Sequence, residues 1–494
     1  MGTRNKGMRF VRVALLLQFT IAMQAHAATI TVTNTNDSGV GSLRQVLASA
    51  NDGDLISFTP AVHGQIIGLT SAEIAIDKNI TINGPGQDLL TVSLSANPPF
   101  RIFHVMPGHT VTIRGLSVSG GVLDDVGGGI LNDHAVLTIH SCMVQASFAE
   151  EGGGVYNDGS GGNSTLIILN SVVTYNFASA GGGVYNDADN GGSATLSLMN
   201  STVTSNTAAF NGFPTGGGAG GGIYNSGGTL MITNSVITNN LAGVPAPFAL
   251  GDGGGIVSYG TLVITNSTIS GNQAYSSGGG IENVGTLTIT GSTVSGNAAN
   301  GGHDGQPWGH GGGISGSVTL TNSTLSGNSA SLSGGGLDGG GNISISTISD
   351  NNGGGISASA ALQIENTILK AGARGANISM DGGTVMSHGY NISSDDGGGF
   401  LNGTGDQINT DPVLGPLQNN GGPTFTHALL PGSPAIDAGD PSFTPPPYYD
   451  QRGPRFRRVF NGRIDVGSLE VQPEPPPFPT PRPRPTLAPR PLAH

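Results

Sequence analysis

The sequence predicts an all-β solenoid: one chain coiled through short strands, each pairing with the equivalent strand one turn above. Three observations predict it. A Gly-Gly-Gly triplet recurs, beginning at 127, 152, 181, 220, 253, 278, 311, 334 and 353. The residue after each triplet is a branched aliphatic: Ile130, Val155, Val184, Ile223, Ile256, Ile281, Ile314, Leu337 and Ile356. Each unit then carries a second phrase, such as Thr261-Leu262-Val263-Ile264-Thr265-Asn266-Ser267-Thr268-Ile269-Ser270-Gly271-Asn272, which returns at 196–206, 230–240, 287–297 and 320–328.

Repetition at this period means a solenoid or an array. Leu262, Ile264 and Ile269 fall at alternating or turn-shifted positions with Thr and Ser between them, the pattern of strands with short breaks. No 3.6-residue spacing runs through the repeats, so helical solenoids drop out. A low-complexity linker would not hold nine aliphatics in register. Stacked coils, about 4.8 Å apart, place aliphatic on aliphatic inside. Asparagines at corners can stack with each amide bonded to the next and tolerate left-handed backbone. Glycine triplets suit corners where φ turns positive or backbones come close. Intervals between triplets run from 19 to 39 residues, the excess lying in inserts at 208–219, 242–252 and 300–310 that are expected to loop out from one corner.

The flanking segments follow in order. Arg4, Lys6, Arg9 and Arg12 precede an apolar run over 13–23, and Ala25-His26-Ala27 offers small residues at a cut; residues 1–27 read as a signal peptide, with no membrane span after its removal. Export to the medium or the cell surface is the expectation. Residues 28–126 read as an N-terminal cap and early coils. Within them 42–50 forms an N-terminal capping helix, with Ser42 as N-cap and Leu43, Val46, Leu47 and Ala50 on one face. Strand-like pieces follow at 74–76, 80–82 and 111–113. The triplet repeats occupy 127–375, an irregular C-terminal cap 376–471, and a Pro/Arg-rich tail of extended type 472–494.

Composition narrows the function. The chain has 494 residues, 85 of them Gly, with 10% charged and a net charge of −13. Between Arg114 and Lys370 there is no Lys or Arg, so the repeats cannot be a nucleic-acid surface. The single cysteine, Cys142, aligns with Ser171, Ser201, Ser235, Ser267 and Ser323 and reads as a small inward filler rather than a nucleophile.

Whole phrases also resemble known families. Residues 31–39 (TVTNTNDSG) with Ser42-Leu43-Arg44-Gln45, and residues 79–86 (NITINGPG), resemble the start of secreted bacterial right-handed parallel β-helix proteins of the pectin-lyase-like class. The Gly-Gly-Gly-Ile units paired with Ile/Val-Ser-Gly-Asn are similar to repeats of polymorphic outer membrane proteins. The stretch 415–440, with Asp450-Gln451-Arg452-Gly453 and 465–470 (DVGSLE), is similar to the choice-of-anchor Q domain. The resemblance implies a right-handed β-helix in an exported, surface-held protein.

No catalytic, cofactor-binding or metal-binding residue is assigned from the sequence. A lyase of this class needs an Arg or Lys base, which the central coils lack. A hydrolase needs converging carboxylates. The best local pairs are Asp124-Asp125 and Asp395-Asp396, each flanked by turn residues and read as solvated loops. No calcium repeat or EF-hand loop is present. Tyr156, Tyr185 and Tyr224 share one outward slot; they form either an exposed aromatic column for a glycan or protein partner, or a cross-strand stack that stabilises the rod. The reading is a non-enzymatic, exported protein with an adhesive, glycan-binding or cell-envelope role, its partner a polysaccharide or a surface protein. The alternative is a polysaccharide-degrading enzyme, a hydrolase rather than a lyase.

Overall fold

Alternation decides the fold residue by residue. In the coil that opens at Gly152, the chain runs through Val155–Asp158, Asn163–Leu169, Val172–Thr174 and Phe177–Ala178. Val155, Asn157, Leu166, Ile168, Val173 and Ala178 point inward and are fully buried. Each strand pairs in parallel with its equivalent one coil on: Val155 with Val184, Leu166 with Leu196, Val173 with Val203 and Ala178 with Ala208. All nine aliphatics after the triplets have 0% exposure and belong to one continuous core.

The computed structural model describes residues 27–95, 97–209, 217–243, 250–303 and 306–473. It is a right-handed parallel β-helix, the hand expected for parallel strands joined by crossovers. A 24-stranded sheet carries the first and second faces, a 13-stranded sheet the third, and a 6-stranded sheet the short fourth strands. The signal segment up to 26, the Pro/Arg tail from 474 and the insert tips at 210–216, 244–249 and 304–305 lie outside the described residues. The insert stems emerge just before the triplets: Gly218–Ala219 pairs with Gly251–Asp252, and Gly302–His303 forms a hairpin with Gln306–Pro307.

Corners are built by three devices. The first glycine of the triplet takes a left-handed conformation, as at Gly253 (φ +60°). At the second, Gly254, a Cβ would sit 2.3 Å from the Gln273 carbonyl, so packing rather than φ demands glycine. Inside the corners run two ladders. Ser171, Ser201, Ser235, Ser267, Ser292, Ser323 and Ser346 each accept the N–H of the residue one coil before. Asn176, Asn206, Asn240, Asn272, Asn297, Asn328 and Asn351 pass amide to carbonyl along the axis. A shorter ladder joins Asn132, Asn157, Asn186 and Asn225. Most of the amides and hydroxyls brought inside at these corners are thus bonded along the stacking direction.

The capping helix spans Leu43–Ser49; the Ser42 Oγ accepts from the Gln45 N–H, and Leu43, Val46 and Leu47 are buried. Among the described residues no helix is long and apolar enough to cross a membrane. The irregular C-terminal region has two parts. Around residues 395–407 the chain closes the last coil, with Leu401 reaching the main core and Gln407 bridging to Ile392. Residues 411–471 then double back as a strap along the outside of the third face. Leu429, Ala435, Val466 and Leu469 pack on Ile368 and Ile392.

Candidate functional site

The slot after each aliphatic faces outward on the first face. In register it holds His104, Leu131, Tyr156, Tyr185, Tyr224, Val257, Glu282, Ser315 and Asp338. The tyrosines resolve in favour of stacking. Tyr156 and Tyr185 lie 5.0 Å apart between ring centroids, Tyr185 and Tyr224 4.8 Å. Tyr156 and Tyr185 are each only 6% exposed, packed with Leu131, Val126 and Ala180. The residues just before the triplets cover the rings, so they offer no open aromatic platform. The Tyr156 hydroxyl donates to Asp187 at 2.7 Å, and burial pushes all three phenols above their ordinary range.

Beyond Val257 the same row changes character. Burial pushes the Glu282 carboxyl up to about 7; a hydrogen bond with Ser315 opposes the shift, while the charges of Asp252 and Asp338 add to it. Its Oε2 is enclosed without a hydrogen-bond partner. Asp338, two coils on, accepts from the Ser333 hydroxyl at 2.6 Å and lies 3.2 Å from the His310 Nδ1, which is itself 2.9 Å from Ser333 Oγ. Asp252, Ser277, His310 and Ser333 occupy the pre-triplet positions beside this row. Trp308, two residues before His310, is 53% exposed. Three carboxyl groups, one of them neutral below about pH 7, are thereby set near hydroxyls and a His–Asp pair, with the chain's single tryptophan two residues from His310. Such a set can bind hydroxyl-rich ligands. A carboxyl kept neutral up to about pH 7 is also the chemical requirement for a general acid.

The local acid pairs do other work. Asp124 and Asp125 are exposed, and Asp125 faces Arg101 at 3.4 Å. Asp395 accepts the N–H groups of Asn377 and Gly397 and the Ser393 hydroxyl; burial raises its carboxyl, but these bonds outweigh burial and hold it low. Asp396 caps a single 3-10 turn at Gly398. Cys142 is 0% exposed in the serine column, and burial lifts its thiol to about 11.

A second polar cluster lies near the N-terminal end. His104 bridges Glu73 (3.1 Å) and Asp133 (3.3 Å), and Asp133 contacts His134 at 2.5 Å. Hydrogen bonding to Glu73 raises His104, and hydrogen bonding to Asp133 raises His134. Asp133, His134 and Asp158 lie close enough to hold a metal ion, as do Asp437, Asp465 and Glu470. The first group is internally hydrogen-bonded, and in the second Asp465 and Glu470 already accept backbone N–H groups beside the buried Arg458.

No family model matches the chain, and no curated protein matches it. Solved structures with some likeness include a pectate lyase, Pel9A, 15% identical over 90% of this chain and 96% of that one, at a TM-score of 0.39. The ORF18 protein of Geobacillus virus E2 is 11% identical over 72% and 61%, at 0.37. The Dettilon tailspike protein gp208 is 12% identical over 77% and 68%, at 0.38.

Proposed function

We propose that this is an exported β-helix with an adhesive or envelope role that binds carbohydrate on the outer row of its first face. The observation that carries the reading is the assembly of Asp252, Glu282 and Asp338 from separate coils beside His310, Ser315 and Ser333. Carboxylates and hydroxyls fit sugar hydroxyls, and the exposed indole of Trp308 supplies an apolar surface at the same corner. The purely acidic repeat region favours neutral glycans over uronates. Affinity electrophoresis against a panel of neutral and acidic polysaccharides tests this. Retention on a neutral glycan that weakens with Trp308→Ala and Asp338→Ala supports the reading; no retention on any member overturns it.

Polysaccharide hydrolysis is a second reading, favoured by the neutral Glu282 carboxyl within the field of Asp252 and Asp338. It requires new reducing ends from the bound glycan and their loss in Glu282→Gln with binding retained.

A further inference from the structure

The strap shows what the third face can hold. In the coil of Asn322-Ser323-Thr324-Leu325-Ser326 all three outward side chains are engaged by it. Asn322 Nδ2 donates to the Tyr449 carbonyl at 3.1 Å. Thr324 Oγ1 donates to Gln451 Oε1 at 2.7 Å and lies 3.1 Å from the Ser468 hydroxyl. Ser326 Oγ is 2.8 Å from His427 Nε2. One coil earlier, Thr293 Oγ1 donates to the Phe425 carbonyl at 2.6 Å, and the Gly291 carbonyl accepts from the Thr424 hydroxyl at 3.2 Å. Toward the C-terminal coils the strap continues, with Ser468 N–H donating to Thr347 Oγ1 and Asp440 N–H to Asn366 Oδ1.

The same side-chain pattern continues uncovered. The preceding coils carry Asn266/Thr268/Ser270, Asn234/Val236/Thr238 and Asn200/Thr202/Thr204 in strict register with Thr293 and Ser295; one coil earlier still, Thr174 is buried again. Beneath the strap Thr293, Thr324 and Ser326 are buried, whereas Thr202, Thr204, Thr238, Thr268 and Ser270 are half-exposed. None of the open triples carries a charge. Exposed rings stand at both limits of the run, Phe425 at 53% and Tyr175 at 68%.

We propose that these three open coils are a seat for an extended, uncharged polypeptide segment of a partner protein, held as the strap is held, through backbone carbonyls and side-chain amides. The argument is continuity: an Asn-x-Thr-x-Ser surface already grips such a chain in cis at residues 322–326, and the three open coils, uncharged and in the same register, extend it by about 14 Å at one coil per 4.8 Å. It lies on a different face from the Glu282 row and does not rest on the carbohydrate reading.

The test uses the full chain and a fluorescent peptide copying residues 420–430, which include Thr424, Phe425 and His427. Saturable binding is expected, and the pair Thr202→Arg, Thr268→Arg weakens it by about tenfold or more without moving the thermal midpoint, because both side chains point outward. Absence of saturable binding, or binding indifferent to the pair, overturns the proposal. So does a result in which the pair abolishes only self-association or only retention on a polysaccharide, since the seat then belongs to a second copy or to a glycan.

Discussion

The side-chain amide of Asn272 donates to Oδ1 of Asn297 at 2.9 Å, and the backbone N–H of Asn272 reaches the same oxygen at 3.0 Å. One carbonyl oxygen therefore serves two donors of the coil before it, while the Asn272 amide also donates to the Ile237 carbonyl at 3.0 Å. Each rung depends on its neighbours on both sides.

Asn272→Ala removes that node. It strands the N–H and side-chain amide of Asn240, both of which point at Asn272 Oδ1, in a site with 0% exposure at Asn272. A loss of about 2–4 kcal/mol is expected, from two buried donors left without acceptors. Chemical denaturation followed by far-ultraviolet circular dichroism measures it. The exposed corner residue Asn234 gives a control, since Asn234→Gly keeps its left-handed backbone (φ +49°) and is expected to change little.

Two glycines from successive repeat units separate the reasons for glycine. At Gly254 an added Cβ meets the Gln273 and Gly279 carbonyls at 2.3 and 2.5 Å. Gly254→Ala must push two coils apart and is expected to prevent a cooperative fold or lower the midpoint steeply. At Gly296 the backbone is left-handed (φ +63°) but nothing lies within 4 Å. Gly296→Ala is expected to cost only about 1–2 kcal/mol of conformational strain. Thermal unfolding of the two variants gives the comparison.

Glu282 makes stability depend on pH in a stated direction. Its folded carboxyl titrates near 7 because it is buried, against 4.5 when free. Between those values the unfolded chain releases the proton and the folded one keeps it, so stability falls as pH rises through that window and levels off above it. Glu282→Gln is expected to remove this decline. Denaturation midpoints measured from pH 4 to 8 would show a flatter profile in the variant; parallel profiles would refute a buried neutral Glu282.

Cys142 stands where later coils carry serine, and its N–H donates to Ser171 Oγ at 3.0 Å. Burial raises the thiol to about 11. The native protein is expected to resist a thiol reagent at neutral pH and to react fully once unfolded. Cys142→Ser should change stability by less than about 1 kcal/mol, because the column accepts a hydroxyl at every following rung.

The coils were legible because the residues that build them repeat. The nine aliphatics, the Asn corners and the Ser column each sit at a fixed offset from a glycine triplet, and each offset returns as a buried column. The tyrosine slot was legible as a column, but its cover was not: Val126 and Ala180 reach it from the pre-triplet corner, a neighbour the strand pattern alone does not place. The acid row was missed for a related reason. Asp252, Glu282 and Asp338 are far apart in sequence, and inserts of unequal length hide their alignment. Counting one residue past each aliphatic would have found Glu282, Ser315 and Asp338 in successive slots. The strap carried no periodic signal, since its contacts are single polar pairs such as Gln451 with Thr324.

Stacking in strict register is the premise of every site described, and an interlabel distance tests it most directly. Thr165, Thr195, Thr229, Thr261 and Thr286 lie on successive coils of the second face. Spin labels at Thr165 and Thr286, in a protein whose Cys142 is changed to Ser, should give one narrow separation near 19 Å, four steps of about 4.8 Å. A broad distribution, or a centre displaced by about 5 Å or more, a full coil, would contradict the register.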